Sequence, residues 1–175
     1  MKTEKLIKTA LFSVLIIIGA YIRFPLFTVP VTCQSIFVLL SGFVLGAKYG
    51  GLSVILYIAL GLLGLPVFSG GGGVGYVLNP AFGFLPGFLV SAYMMGFLSE
   101  RKAQSSAEIF LCSFVSMVPV YIMGAGYFML ITKFFLKESI DFFYVLNYYA
   151  LIFIPGDIVK CIIVGLAGAK IRRRI

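Results

Sequence analysis

The sequence predicts an all-α integral membrane protein of about six transmembrane helices, with both ends on the cytoplasmic side and a glycine-rich lid loop on the outer side. Three observations carry that prediction. The 175 residues are 61% hydrophobic and 11% charged, with a mean hydropathy of +1.10, whereas soluble domains run at about 45–50% apolar and about 25% charged. The apolar residues come in runs close to the roughly 20 residues that a spanning helix needs. The basic residues collect between those runs instead of forming one continuous face.

The first run, residues 6–22, has the basic start of a signal peptide. Phe24, Pro25, Leu26 and Phe27 follow it in place of a small-residue cleavage site, so it reads as a retained span. Residues 33–47 and 52–65 form two short spans punctuated by Lys48, Tyr49, Gly50 and Gly51. A fourth covers 83–98 and a fifth about 109–131. After a mixed stretch with Lys137, Glu138 and Asp141, residues 152–169 make the sixth. The connections are short, and residues 1–175 read as one transmembrane domain.

Charge then tests the topology. With both termini inside, Lys2, Lys5, Lys8, Lys48, Arg101, Lys102, Lys170 and Arg172 to Arg174 are cytoplasmic, ten of the fourteen basic residues. That asymmetry is the positive-inside pattern and fits an even number of spans. Arg23, Lys133 and Lys137 fall outside, and Lys160 lies within the last span. With no Trp in the chain, interfacial aromatics must be tyrosines, such as Tyr21, Tyr49, Tyr144, Tyr148 and Tyr149.

The formal charge of +8 would suggest a nucleic-acid partner in a soluble protein. Here the clusters are separated by spans and lack interleaved aromatics, so no nucleic-acid binding is expected. The absence of His removes imidazole metal sites and Ser-His catalysis together. Cys33, Cys112 and Cys161 are scattered through apolar runs without metal or disulfide spacing. Neither a metal nor a cofactor is expected.

Ionisable residues inside a span cost about 2.5–3.5 kcal/mol each and are functional hypotheses by default. Asp157 and Lys160, in the run from Ile154 through Pro155 and Gly156, are three residues apart and share one helical face. Lys160 lies ten residues before Lys170, roughly 15 Å at helical rise, which puts it near the midplane. Three roles fit them: a structural ion pair, a polar anchor for a solute, or a proton relay. A relay usually strings several titratable groups across the membrane, and Asp157 is the sole embedded carboxylate.

The stretch from Leu65 to Pro80 carries five glycines among Phe68, Val74, Tyr76, Val77 and Leu78. No G-x-x-x-x-G-K-[ST] occurs, so it is not a phosphate-cradling loop. That much apolar surface suits a folded lid dipping into the outer mouth better than a floppy connector. Asn79 offers a donor and an acceptor at its edge. Gln34, at the start of the second span, serves equally a wet cavity or an interhelical hydrogen bond. Tyr121 and Tyr127 either wall a pocket or pack.

The run Val29-Pro30-Val31-Thr32-Cys33-Gln34-Ser35, the stretch from Leu60 to Phe68 with the glycine loop, and Pro155-Gly156-Asp157 with Lys160 together resemble the BioY family. These are the biotin-specific substrate-binding (S) components of energy-coupling-factor (ECF) transporters. The resemblance covers nearly the whole chain. It implies six helices, cytoplasmic termini, a biotin site near the outer surface capped by loops, and partnership with a transmembrane coupling subunit and two cytoplasmic ATPases. It also implies a multi-pass protein of the bacterial inner membrane. Asn79, Asp157 and Lys160 then converge on the polar ureido head, with Gly73 and Gln34 completing the site.

Two departures stand out. The family's first helix often carries Ala-x-x-x-Ala for docking; here Ala10 is followed by Val14, although Thr9 and Ser13 keep a small-x-x-x-small pair. A Thr-Gly-Gly-like run after the lid proline is replaced by Ala81-Phe82-Gly83. The expected function is a high-affinity biotin-binding subunit that takes biotin outside and releases it inward. The chief alternative is a solitary proton- or ion-coupled transporter of small solutes. An intramembrane enzyme is not expected, because Ser35 and Ser116 have no evident base.

Overall fold

The computed structural model describes residues 2–24, 31–102, 105–135 and 142–173, without the side chains at 2, 24, 101–102, 142–144 and 146–152. The expected tyrosines 144, 148 and 149, the Arg101 and Lys102 side chains, and the charged stretch 137–141 lie outside that description. Five helices dominate. α1 is Lys2–Tyr21, α2 Gln34–Leu62, α3 Phe84–Lys102, α4 Ser106–Phe134 and α5 Phe142–Arg172. Two short strands, β1 (Arg23–Phe24) and β2 (Val31–Thr32), pair antiparallel between α1 and α2, with Arg23 opposite Thr32. Between α2 and α3 the chain forms two 3-10 helices, Val74–Leu78 and Pro80–Gly83.

α2 is two helices joined at a break. Gly46 takes φ 78° and ψ 172°, a conformation that essentially only glycine adopts. Beyond it the chain folds back, so that a Cβ on Gly50 would sit 2.6 Å from Gly42 Cα. In one continuous helix those residues would be about 12 Å apart. The break therefore falls at Gly46 and not at Lys48 to Gly51, which are helical. Gly50 and Gly51 are buried and serve packing, while hydropathy alone located the turn at the nearest charge.

The inner seam is built from small residues. A Cβ on Gly42 would lie 2.2 Å from the Ala92 carbonyl oxygen, and one on Gly96 would lie 2.1 Å from the Ala47 nitrogen. Such contacts let α2 and α3 meet backbone to backbone, the usual basis of helix association in membranes. Thr9 and Ser13 face inward too. The Ser13 hydroxyl donates to the Ser53 carbonyl at 2.8 Å, so this pair packs α1 on α2. The exposed face of α1 instead carries Ile7, Ala10, Leu11, Val14 and Ile18.

α4 starts on a capping box: the Glu108 amide donates to Ser105 Oγ at 3.3 Å, and the Ser105 amide donates to Glu108 Oε2 at 2.9 Å. Pro119 and Pro155 lie inside α4 and α5. The core runs along the helix interfaces through Ile16, Leu39, Val54, Tyr57, Met95, Ile109 and Val164. Among the described residues, three helical stretches are long and apolar enough to cross a membrane: Gln34–Leu62, Pro80–Glu100 and Ser106–Phe134. Leu111, Ile122, Leu130 and Leu166 project outward, an apolar surface that water would not tolerate over such an area. The chain is a membrane protein.

Candidate ligand cavity

A cavity of about 570 Å³, its open mouth included, lies among the helices. Its apolar wall is Phe84, Leu85 and Phe88 of α3 with Met117 and Val120 of α4 and Phe153 of α5. Polar groups enter from three sources. Tyr121 of α4 meets Asp157 and Lys160 of α5; Thr32, Gln34 and Ser35 come from the β2–α2 junction, and Ser69 from the glycine-rich segment. Few, placed polar groups in an apolar cleft are the ordinary make-up of a small-molecule site.

Asp157 is the hub. The Lys160 ammonium donates to its Oδ1 at 2.7 Å, and the Tyr121 hydroxyl donates to its Oδ2. Helical spacing accounts for the first contact, since residues three apart on α5 are neighbours. The second crosses from α4, 36 residues away, two residues beyond Pro119. Asp157 is 6% exposed. Both carboxylate oxygens are thus engaged, yet each retains acceptor capacity for a donor arriving from the cavity. The pair is neutral overall, which suits an uncharged polar head.

Gln34 and Ser35 are different in kind. Each is buried, and Gln34 Nε2 and Ser35 Oγ have no hydrogen-bond partner among the described residues. The buried Tyr57 hydroxyl lies beside the Gln34 side-chain amide.

The glycine-rich segment folds around two rings. Phe68 is 1% exposed and meets Tyr57 edge-on at 5.4 Å and Tyr76 at 4.6 Å. Its ring occupies the place where a Cβ on Gly61 would be, 2.0 Å from Cζ. Three side chains hold the segment by its carbonyls: Tyr21 to Pro66, Arg23 to Ser69, and Tyr127 to Val77. Val74 and Leu78 face outward instead. Tyr49 lies under the Lys5 ammonium at 5.3 Å.

Of the expected site residues, the cavity brings together Asp157, Lys160 and Gln34. Asn79 and Gly73 do not line it. Asn79 Oδ1 accepts the Ala81 amide at 2.9 Å and so caps the Pro80–Gly83 helix. The Gly73 amide donates to the Gly61 carbonyl at 2.7 Å. Thr32, Ser35, Ser69 and Tyr76 were not foreseen; Thr32 and Ser35 flank Gln34 in the same run, which was the available signal. Tyr121 walls the cavity, and Tyr127 binds the loop. Among the described residues no cluster could hold a metal ion, and the three cysteines are free.

The BioY family model matches residues 1–175. A protein named probable biotin transporter BioY from Lysinibacillus sphaericus is 39% identical over 71% of this chain and 64% of its own length. A biotin transporter BioY from Thermotoga maritima is 47% identical over 57% of this chain and 59% of its own, so the chain spans roughly three fifths of these two relatives. A biotin transporter BioY from Rhizobium etli is 33% identical over 98% of this chain and 94% of its own. Among solved structures, the crystal structure of the S-component for biotin from an ECF-type ABC transporter superposes with a TM-score of 0.81 at 27% identity, covering 98% and 92% of the two chains. The chain is a member of the BioY family.

Proposed function

We propose that the chain is the biotin-binding S component of an ATP-driven ECF-type importer in the bacterial cytoplasmic membrane. One observation carries the reading: a neutralised Asp157–Lys160 pair, braced by Tyr121, lines a cavity with a largely apolar wall. Biotin presents a fused apolar ring system, a ureido head with two N–H donors and a carbonyl, and a carboxylate tail. Asp157 would accept ureido N–H groups, and the free donors of Lys160 would meet the ureido carbonyl. The rings would lie against Phe84, Phe88, Met117 and Phe153.

The fold-back at Gly46 supports six spans with both ends inside, in keeping with the charge distribution. The glycine-rich segment would act as the outer lid, with Asn79 and Gly73 reaching the ligand from its rim. The chain has no nucleotide-binding motif. Inward release would therefore depend on a transmembrane coupling subunit and two ATPases, docked on the exposed α1 face around Ala10 and Val14.

Calorimetric titration of the purified protein in detergent tests the reading, with thiamine and riboflavin as controls. Tight one-to-one binding of biotin alone is expected. A folded protein that ignores biotin would sink it and leave solute uptake coupled to protons as the next experiment.

A further inference from the structure

A second cavity, about 740 Å³ with its open mouth, lies at the end of the bundle away from the glycine-rich segment. It falls between the start of α1, residues 43–46 at the break in α2, and the last turn of α3. None of its lining residues belongs to the cavity that holds Asp157.

This cavity arises because two helices diverge. Toward its C-terminus α1 is pressed on the first half of α2, where a Cβ on Gly19 would lie 2.9 Å from Gln34 Cα. Toward its N-terminus the contacts pass to the second half of α2. Ser13 donates to the Ser53 carbonyl at 2.8 Å, and the Lys5 ammonium stands 5.3 Å from the Tyr49 ring centroid. A wedge therefore opens between α1 and the first half of α2, floored by half-buried Phe43, Val44 and Leu45.

The rim of the wedge is charged, and the charges are divided. Glu4, Lys5 and Lys8 give the α1 wall one net positive charge, while Glu100 on α3 sets a negative charge across from it. The Glu100 carboxylate reaches the break in α2, beside Gly46. Lys8 and Glu4 form a 2.6 Å pair with both side chains more than half exposed, and exposed pairs of this kind are weak and readily exchanged. The Lys5 ammonium rests on a ring face, a contact that leaves N–H groups for an oxygen. From the rim, the row Lys8, Leu11 and Leu15 continues along one side of α1, because residues three and four apart share a face. Leu11 lies roughly 100° around the helix from Ala10, so this row is distinct from the face assigned above to the coupling subunit.

An apolar floor below a charged rim, at the charged end of a membrane bundle, matches the level where acyl chains give way to headgroups. We propose that the wedge binds one phospholipid with a phosphoethanolamine head. Lys5 and Lys8 take the phosphate, Glu100 takes the primary ammonium, and an acyl chain lies along Leu11 and Leu15. An anionic head without the ammonium would set like charge against Glu100, and a trimethylated ammonium has no N–H to donate to it. The proposal rests on the chain's membrane residence and not on which solute the other cavity binds.

Native mass spectrometry of the full chain tests it, with release from micelles holding equal amounts of phosphatidylethanolamine, phosphatidylcholine and phosphatidylglycerol of matched acyl chains. One phosphatidylethanolamine should be retained at least about threefold over either rival. Glu100→Gln should bring the ethanolamine and choline lipids to parity. Lys5→Gln with Lys8→Gln should cut retention of all three about fivefold or more. All three side chains are exposed, so the melting temperature should hold, and Glu100→Gln serves alone if the double variant does not fold. Equal retention of the three lipids by the unaltered chain, a preference for phosphatidylglycerol, no retained lipid, or variants that keep the original preference would each overturn the proposal. A chain that ignores biotin yet retains this lipid would leave it standing.

Discussion

The Lys160 ammonium stands 2.7 Å from Asp157 Oδ1, one turn away on the same face of α5, with the two side chains 12% and 8% exposed. Removing one partner of such a pair strands a buried charge, at about 3–5 kcal/mol, whereas replacing both often costs little. Lys160→Met should therefore lower the melting temperature in detergent clearly. Adding Asp157→Asn to it should recover most of that loss without recovering biotin binding. A Lys160→Met protein that melts like the original would contradict the pairing.

Tyr121→Phe keeps the ring and removes the hydroxyl that donates to Asp157 Oδ2. A hydrogen bond to a charged group is worth about 1.5–3 kcal/mol. Biotin affinity by calorimetry should fall about tenfold or more as the carboxylate loses its orientation. Unchanged affinity would mean that the phenol is only packing.

Gly46 and Gly61 resist a side chain for different reasons. At Gly46 a Cβ would meet the positive φ and stand 2.4 Å from Glu100 Oε1; at Gly61 it would collide with the Phe68 ring. Gly46→Ala should cost about 1–3 kcal/mol from backbone strain, read as a lower melting temperature. Gly61→Ala should expel Phe68 and leave residues 65–80 open to limited proteolysis. Protease resistance equal to that of the unaltered chain would show that the ring can settle elsewhere.

Arg23 and Tyr21 grip the glycine-rich segment by the Ser69 and Pro66 carbonyls. Arg23→Ala combined with Tyr21→Phe should speed biotin dissociation about three- to tenfold, with little change in melting temperature. A chase of labelled biotin by excess unlabelled biotin measures this. An unaltered off-rate would show that the tethers do not limit escape.

Hydropathy and charge revealed the helices, because a bilayer imposes length and composition on every span. The Asp157–Lys160 contact was readable for a similar reason: helical spacing turns sequence distance into spatial distance. The turn in α2 was misplaced because the charge at Lys48 marks a boundary with water, while the reversal depends on which glycine takes positive φ. Tyr121 was ambiguous because its partner lies 36 residues away on another helix. Asn79 was read from its amide chemistry alone. Its place directly before Pro80 also suits a helix cap, the role its Oδ1 fills. Thr9 and Ser13 were readable as a close-packing pair, but not as one turned inward.

Where Gly42 meets Gly50 and Ala92, and Gly96 meets Ala47, main chain rests on main chain with no side chain between. Such a joint has no rotamers to shuffle and no methyl groups to slide past one another, so it behaves as a rivet. The opposite end of the bundle is fastened by single hydrogen bonds from Tyr21, Arg23 and Tyr127 to loop carbonyls. Compliance therefore rises along the length of the helices, from a stiff heel at Gly46 to a yielding rim, as in a pair of tweezers.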